Sequence, residues 1–439
     1  MTSRLAAGSV LIGSVLVAWL ALTVVAAGRA LQVVTALSLA YVAFLALRGY
    51  RVMRDARMVE AGLHVDAWRP RVTLIVAARN EAPVISATVA ALAAQDYTVE
   101  GQPGFDLLVV DDGSNDETGA LARAAGEAMP GHVRVLRREA DGGPQTKGAV
   151  LNFAHAHAQG EVIGVVDADC LVTAGFLSQV IADWQSDGDA AAIQAQRRER
   201  NLSDGWLAAA QDEEQLIDTA SQCGRRSTDG TAELRGTGMF VRRATLERLG
   251  GWNANALTED LDLSTRITAA GERIGLALHA EVGEEAVVTV PAFWRQHLRW
   301  AEGSIRRLID LAPGVIRNRR IPLDRRLDLV AFAGEFVFLP LIVATILGSL
   351  VSAPLGARAD WTVPLAFVAS YLAGSLLMAL AGLLGAGERG PAMLGRTVRG
   401  ALFQFHWLVV VPVALVRIAA GSAETRFVQT PRIGHLTDR

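Results

Sequence analysis

The sequence predicts a mostly parallel α/β sheet covered by helices, set between apolar helices at the two ends of the chain. Three observations carry that expectation. From about residue 71 to 290, apolar runs of strand length alternate with alanine-rich helical stretches, the pattern of a sheet with helices packed on it. One such run, in EVIGVVDADC at 161–170, stops abruptly at Asp167 and Asp169, and ligands of open α/β sheets gather where parallel strands end. Finally, 51% of the 439 residues are hydrophobic and only 20% charged. That is too apolar for an ordinary soluble enzyme, and the excess lies at the chain ends, so a membrane protein with a soluble middle is expected.

Residues 5–27 and 30–47 are apolar stretches separated by Gly28 and Arg29, and they read as a transmembrane hairpin. A signal peptide is the competing reading of the first stretch, but no polar cleavage region precedes the second. Arg48, Arg51, Arg54 and Arg57 follow, which by the positive-inside rule places the soluble middle in the cytosol. A cytosolic domain keeps its two cysteines, Cys170 and Cys223, as free thiols. Cys170, beside the aspartate pair, is either oxidation-sensitive or simply packed. The net charge of −3 offers no case for nucleic-acid binding.

VTLIVAA at 72–78 is the first strand, ending at Arg79, Asn80 and Glu81, and 83–94 reads as a helix. A second strand, 106–110, breaks into Asp111, Asp112, Gly113 and Ser114. This turn suits a ribose hydroxyl or a base edge, and alternatively Ser114 and Glu117 form a plain helix cap. Lys147 stands in a glycine-flanked loop before a helix, where it can reach a phosphate. His155 and His157 read as surface or packing residues. Asp167 and Asp169 point to one side of an extended chain, and would repel each other without a cation between them. Mg2+ or Mn2+ with a diphosphate is the natural occupant, the bland alternative being a solvated turn.

Residues 194–220 read as a polar helix with a solvated face carrying Glu199, Asp212, Glu213 and Glu214. Gly236 and Gly238 mark a close backbone approach, 242–250 a short helix, and Thr258, Glu259 and Asp260 the start of another. Acids there are ordinary dipole partners, or a general base if they open into a cleft. After Pro291 the amphipathic segment FWRQHLRWAEGSIRRLIDL, with Arg295, Arg299, Arg306 and Arg307, reads as interfacial. Residues 327–350 and 363–384 are further spans, with Glu335 expected to face protein or a polar passage. The apolar stretch 402–416 lies between Arg396 and Arg399 on one side and Arg417, Arg426 and Arg432 on the other. It is therefore read as interfacial or re-entrant, with residues after Ile418 cytosolic.

These motifs, taken in order, resemble the membrane-bound family 2 glycosyltransferases of the GT-A fold, the group of cellulose, chitin and hyaluronan synthases. The resemblance rests on VTLIVAARNE, VVDDGSND, the lysine of QTKGAVLN, VVDADC, GTGMF, Thr258 to Asp260, and Gln296, Arg299 and Trp300 of QHLRW. It implies that Asp112 holds the nucleotide, Lys147 lies near its phosphates, and Asp167 and Asp169 bind it with Mg2+ or Mn2+. Asp260 is then the catalytic base, Glu259 adjoins the acceptor, and Gln296, Arg299 and Trp300 close over diphosphate and acceptor. Phe427 and Thr430 resemble a gating segment, with Gln429 and Arg432 departing from its pattern.

The resulting division is an N-terminal hairpin with basic flank (1–57), a cytosolic GT-A domain (58–290), interfacial helices (291–326), transmembrane or re-entrant helices (327–420) and a cytosolic tail (421–439). The expected enzyme is an inverting, multi-pass inner-membrane glycosyltransferase using a nucleotide sugar, a UDP-sugar, to extend a polysaccharide. A glycolipid product is the alternative, since about five membrane-length elements make a small channel. A non-catalytic nucleotide-sugar-binding membrane protein is the alternative of another class.

Overall fold

The computed structural model describes residues 29–59, 68–127, 129, 131–139, 144–352, 361–422 and 434. The expected span at 5–27 and the gating segment around Phe427 and Thr430 lie outside the described residues.

Strand-length runs of Val, Ile and Leu form the central sheet, because side chains branched at Cβ fit a pleated surface buried on both faces. Its seven strands are β1 (Val72–Ala78), β4 (Phe105–Asp111), β5 (Val133–Arg137), β6 (Val162–Val165), β7 (Ala192–Glu199), β8 (Met239–Arg242) and β9 (Ile274–Glu284). A small hairpin of β2 (Thr98–Val99) and β3 (Gln102–Pro103) lies apart from them. The spatial order is β5-β4-β1-β6-β8-β7-β9. The first four strands pair in parallel, β8 runs antiparallel to β6 and β7, and β7 pairs with β9 in parallel. Ala78 faces Asp111 across the β1–β4 ladder, so Asp112 and the aspartate pair after β6 emerge along one edge. Apolar clusters fill both faces, one around Phe105, Phe176, Trp184 and Phe240, the other around Ile75, Leu151, Met239 and Trp252.

The region 194–220 departs from expectation. Its first part is strand β7, and the helix begins at Trp206 and runs to Arg226. Nor is that helix solvated: Asp212 is 0% and Glu213 1% exposed. It is the bridge between the sheet and the apolar helices, packing against strand β7 on one side and the helices Arg29–Arg57 and Thr362–Gly385 on the other. The approach is close enough that a Cβ on Gly224 would collide with the Leu45 carbonyl.

Asp212 and Glu213 survive burial because arginines meet them. Arg198 binds Asp212 at 2.8 Å, Arg399 grips Glu213 at 2.5 and 2.6 Å, and Arg396 reaches both acids, at 3.2 and 2.9 Å. The sequence reading had placed Arg396 and Arg399 as membrane flanks. Their partners lie in the soluble domain instead.

Among the described residues, four helical segments are long and apolar enough to cross a membrane: Val33–Arg57, Leu323–Val351, Thr362–Gly385 and Met393–Ala419. The last is longer than the apolar run 402–416. It is tied to the soluble domain by the arginine pairs at its start and to the helix Val290–Arg317 by Arg417, 2.9 Å from buried Glu302, near its end. Glu335 is exposed on its helix, with Arg225, Glu233 and Asp328 as its charged neighbours.

The helix Val290–Arg317 also differs from a purely interfacial one. Arg307 is buried and pairs with Glu233 at 2.6 Å, while also donating to the Leu261 carbonyl and Thr265.

Candidate active site

The short helix Lys147–His155 begins in the loop that carries Lys147, and Thr146 caps it by accepting from the Ala149 N–H. The lysine therefore leaves the first turn towards the strand ends. Its ammonium lies 2.5 Å from Asp167, 2.9 Å from the Gly236 carbonyl and 3.7 Å from Glu259. Residues 20 to 112 positions away in sequence thus converge on one cation, from the loop after β6, from GTGMF and from the helix Glu259–Ala269.

GTGMF clasps the aspartate loop. Thr237 Oγ1 accepts the Asp167 N–H at 3.0 Å and lies 3.3 Å from the Cys170 thiol. Gly236, at φ +81°, needs to be glycine twice over, since a Cβ there would also press on Asp260 Oδ2 at 3.2 Å. This is the close approach that Gly236 and Gly238 signalled in the sequence. Cys170 is fully buried, and burial, with Asp169 beside it, pushes its thiol well up. A thiol so protonated is packed and unreactive, which decides between its two readings.

Asp260 sits in the first turn of its helix and takes the Leu261 N–H at 2.8 Å. Burial pushes its carboxyl up from the ordinary value against the pull of Lys147, Arg235 and Arg197. The neighbouring Glu259, 6% exposed, is pushed by burial and by Asp260 to about 7 in spite of Lys147. For Lys147 burial works the other way, yet Asp167 and Glu259 hold its ammonium above the usual range. The cluster carries more acid than base.

Asp167 is 32% exposed at its side chain and Asp169 is buried at 3%. Two carboxylates directly after a strand end, one facing the open side, form the hard oxygen donor set that Mg2+ or Mn2+ requires, so the residues fit such an ion.

Asp112 lies apart from the lysine cluster. Its carboxylate is 2.6 Å from Arg138 and 4.0 Å from Arg79. Ser114 does not cap the helix Thr118–Gly126; its hydroxyl accepts the Asn80 N–H at 3.0 Å, joining the loops after β1 and β4. His155 stacks edge-on to Trp252 and His157 is exposed, the packing and surface positions expected.

Gln296, Arg299 and Trp300 are carried on the helix Val290–Arg317, each partly buried. That helix meets the Thr258–Asp260 turn so closely that a Cβ on Gly303 would overlap the Thr258 side chain. Gln296 Oε1 is buried with no hydrogen-bond partner. The Trp300 ring lies 5.8 Å beneath the Arg197 guanidinium, which is itself held by Glu284 at 2.5 Å.

Arg197 and Arg235 went unnoticed in the sequence, although both send positive charge to Asp260. Arg235 is gripped by Asp218 at 2.6 Å and Glu233 at 2.8 Å. Its place immediately before GTGMF was the available signal. Arg197, on a strand mistaken for helix, offered none.

Residues 70–303 match the family described as glycosyltransferase like family 2. A beta-monoglucosyldiacylglycerol synthase from Synechocystis sp. is 32% identical over 369 residues, covering 82% of this chain and 74% of the relative. A poly-beta-1,6-N-acetyl-D-glucosamine synthase from Staphylococcus aureus is 25% identical over 259 residues, 57% of this chain and 59% of that one. Among solved structures, a mannosyltransferase from Pyrobaculum calidifontis in complex with GDP-Man and Mn2+ aligns with a TM-score of 0.53 at 22% identity, covering 89% of this chain and 98% of that one. The last shares the fold. Since the family match takes in every strand of the sheet and the relationship continues into the apolar helices, this chain belongs to glycosyltransferase family 2 and is a hexosyltransferase of the GT-A fold, not a non-catalytic nucleotide-sugar binder.

Proposed function

We propose that the chain transfers one hexosyl group, with inversion, from a nucleotide sugar to the headgroup hydroxyl of a membrane lipid. The observation that carries the chemistry is Lys147, bound between Asp167 and Glu259 with Asp260 against the same Gly236.

In this reading Asp112, with Arg79 and Arg138 around it, holds the nucleoside, and UDP is the donor expected from the resemblance. Lys147 and Arg299 offset the diphosphate charge, and Asp167 and Asp169 hold Mg2+ or Mn2+. That ion, when bound, supplies Lewis-acid stabilisation of the leaving diphosphate. Asp260 takes the proton of the acceptor hydroxyl as its oxygen bonds to the anomeric carbon and the bond from that carbon to the diphosphate breaks. A base whose pKa is raised by burial removes that proton more readily near neutral pH. With Asp260 as the base, Asp167 and Asp169 on the ion and Glu259 on the acceptor side, the transfer is a single displacement. Gln296, Trp300 and Glu259 line the acceptor side, with Trp300 offering a flat apolar face.

The lipid acceptor is supported by relationship: the glucosyldiacylglycerol synthase match takes in the apolar helices, whereas the match to the polymer-forming synthase covers 57% of the chain. Purified protein in lipid nanodiscs, given labelled UDP-glucose and diacylglycerol, tests it. Label in a monoglycosylated lipid is expected. Label only in a long water-soluble polymer overturns it.

The catalytic domain and the tail after Ile418 belong on the cytosolic side of a multi-pass arrangement, because the 393–419 segment binds Glu213 of the bridge helix at its start and Glu302 of the helix Val290–Arg317 near its end. Labelling of a Ser422→Cys variant from outside intact cells overturns this.

A further inference from the structure

We propose that Glu214, His297 and His406 form a second metal site, separate from the aspartate pair, that takes a divalent transition ion of the Zn2+ kind. The three come from the bridge helix, the QHLRW helix and the turn Gln404–His406. Their ligand atoms all lie within 4.8 Å of one another. His297 Nε2 is 3.0 Å from one Glu214 oxygen and His406 Nε2 is 3.6 Å from the other.

The hydrogen bonds on the far sides of the rings carry the argument. His297 Nδ1 lies 3.1 Å from the Phe293 carbonyl and His406 Nδ1 2.6 Å from the Phe403 carbonyl. A carbonyl only accepts, so each Nδ1 bears its proton, and a ring that carries no second proton turns a bare lone pair at Nε2 towards Glu214. Two lone pairs and a carboxylate then face one another, and His406 Nε2 is buried with no hydrogen-bond partner. Three acceptors converging out of water need a cation between them. An imidazole whose outer N–H is fixed by a backbone carbonyl is also how metal-bound histidines are oriented.

Protonating both rings is the alternative source of charge. It would place two imidazolium ions with centroids 4.8 Å apart among Phe293, Phe403 and Trp407, and His297 is 0% exposed. A single divalent ion supplies the charge without that repulsion. Trp407 Nε1 donates to Glu214 at 3.0 Å and orients it.

Two imidazoles and one carboxylate with an open position suit Zn2+, whereas Mg2+ and Mn2+ prefer oxygen alone, so the two sites divide their metals by ligand type. The ion would pin the 393–419 segment to the helix bearing Trp300, three residues beyond His297, making it a positioning site.

The test uses full-length protein with a histidine-free tag, stripped with EDTA, given one equivalent of Zn2+ or Co2+ and desalted. Wild-type protein and Asp169→Asn should each retain Zn2+, Co2+ should show the visible bands of a four-coordinate nitrogen and oxygen site, and His406→Gln and Glu214→Gln should retain neither. Wild-type protein that keeps no Zn2+ and shows no such Co2+ spectrum overturns the proposal. So does metal retained by both ligand variants, or lost in Asp169→Asn. The wild-type spectrum decides the matter even where a variant fails to fold.

Discussion

Two charged regions of this molecule hold their carboxylates differently. At the strand ends, Asp167, Glu259 and Asp260 share one ammonium, Lys147. On the bridge helix, Asp212 and Glu213 meet three arginines, Arg198, Arg396 and Arg399. Buried carboxylates with full partners are a seam between parts of the protein, costly to break and chemically silent. Carboxylates left in excess attract a cation or a proton, and burial raises the pKa values of Glu259 and Asp260, which is what a reacting site needs.

The comparison breaks first under metal removal. Chelation, or Asp169→Ala, should abolish transfer, because the diphosphate would then face the remaining carboxylates uncompensated. Undiminished transfer in excess chelator would mean the acid excess serves something else.

Asp260→Asn comes next. Loss of a general base lowers kcat by about 10²–10⁴-fold, while donor binding, read by calorimetry, should hardly change. The pH profile sharpens this. Asp260 acts only when ionised and burial raises its pKa, so kcat/KM should fall on acidification through a value above the ordinary aspartate range of about 3.9. Full turnover by the variant would remove Asp260 from the mechanism.

At the seam the effect should be on stability. Glu213→Ala takes the acid from Arg399 and leaves Arg396 with Asp212 and Glu388. Breaking a buried pair costs about 3–5 kcal/mol, and because Arg399 is 36% exposed the loss should fall at or below the low end. Thermal melting should show it, with turnover per folded molecule spared. A variant that melts normally but turns over poorly would make the seam part of the site.

Trp300→Ala should have the smallest effect. Losing one aromatic face, worth about 0.5–1.5 kcal/mol, should raise acceptor KM up to roughly tenfold with donor affinity unchanged. Lower yield with normal acceptor KM would make the ring a membrane anchor only.

How far each region was legible follows from the distance over which its residues act. β1 occupies 72–78 as read from VTLIVAA, and β6 ends just before the aspartate pair. The bridge helix was misread for a definite reason: a helix face of Asp, Glu and Gln looks solvated unless the arginines that cover it are known, and Arg399 lies 186 residues beyond Glu213. Ser114 was misread at short range, because its hydroxyl is taken by the Asn80 N–H from another strand's loop.

The sequence by itself determined strands β1, β4 and β6, the apolar helices at 30–47, 327–350 and 363–384, and the types of residue at the strand ends. Burial of an apolar run depends on the run itself, and a carboxylate pair with one residue between is the same wherever the chain goes. Only the tertiary structure decided which acids share Lys147, which arginines silence Asp212 and Glu213, and that Glu214 meets His297 and His406. Those outcomes depend on ångström separations between residues 20 to 192 apart in the chain, and a charge has no fixed effect until the path of the backbone sets its neighbours and its exposure to water.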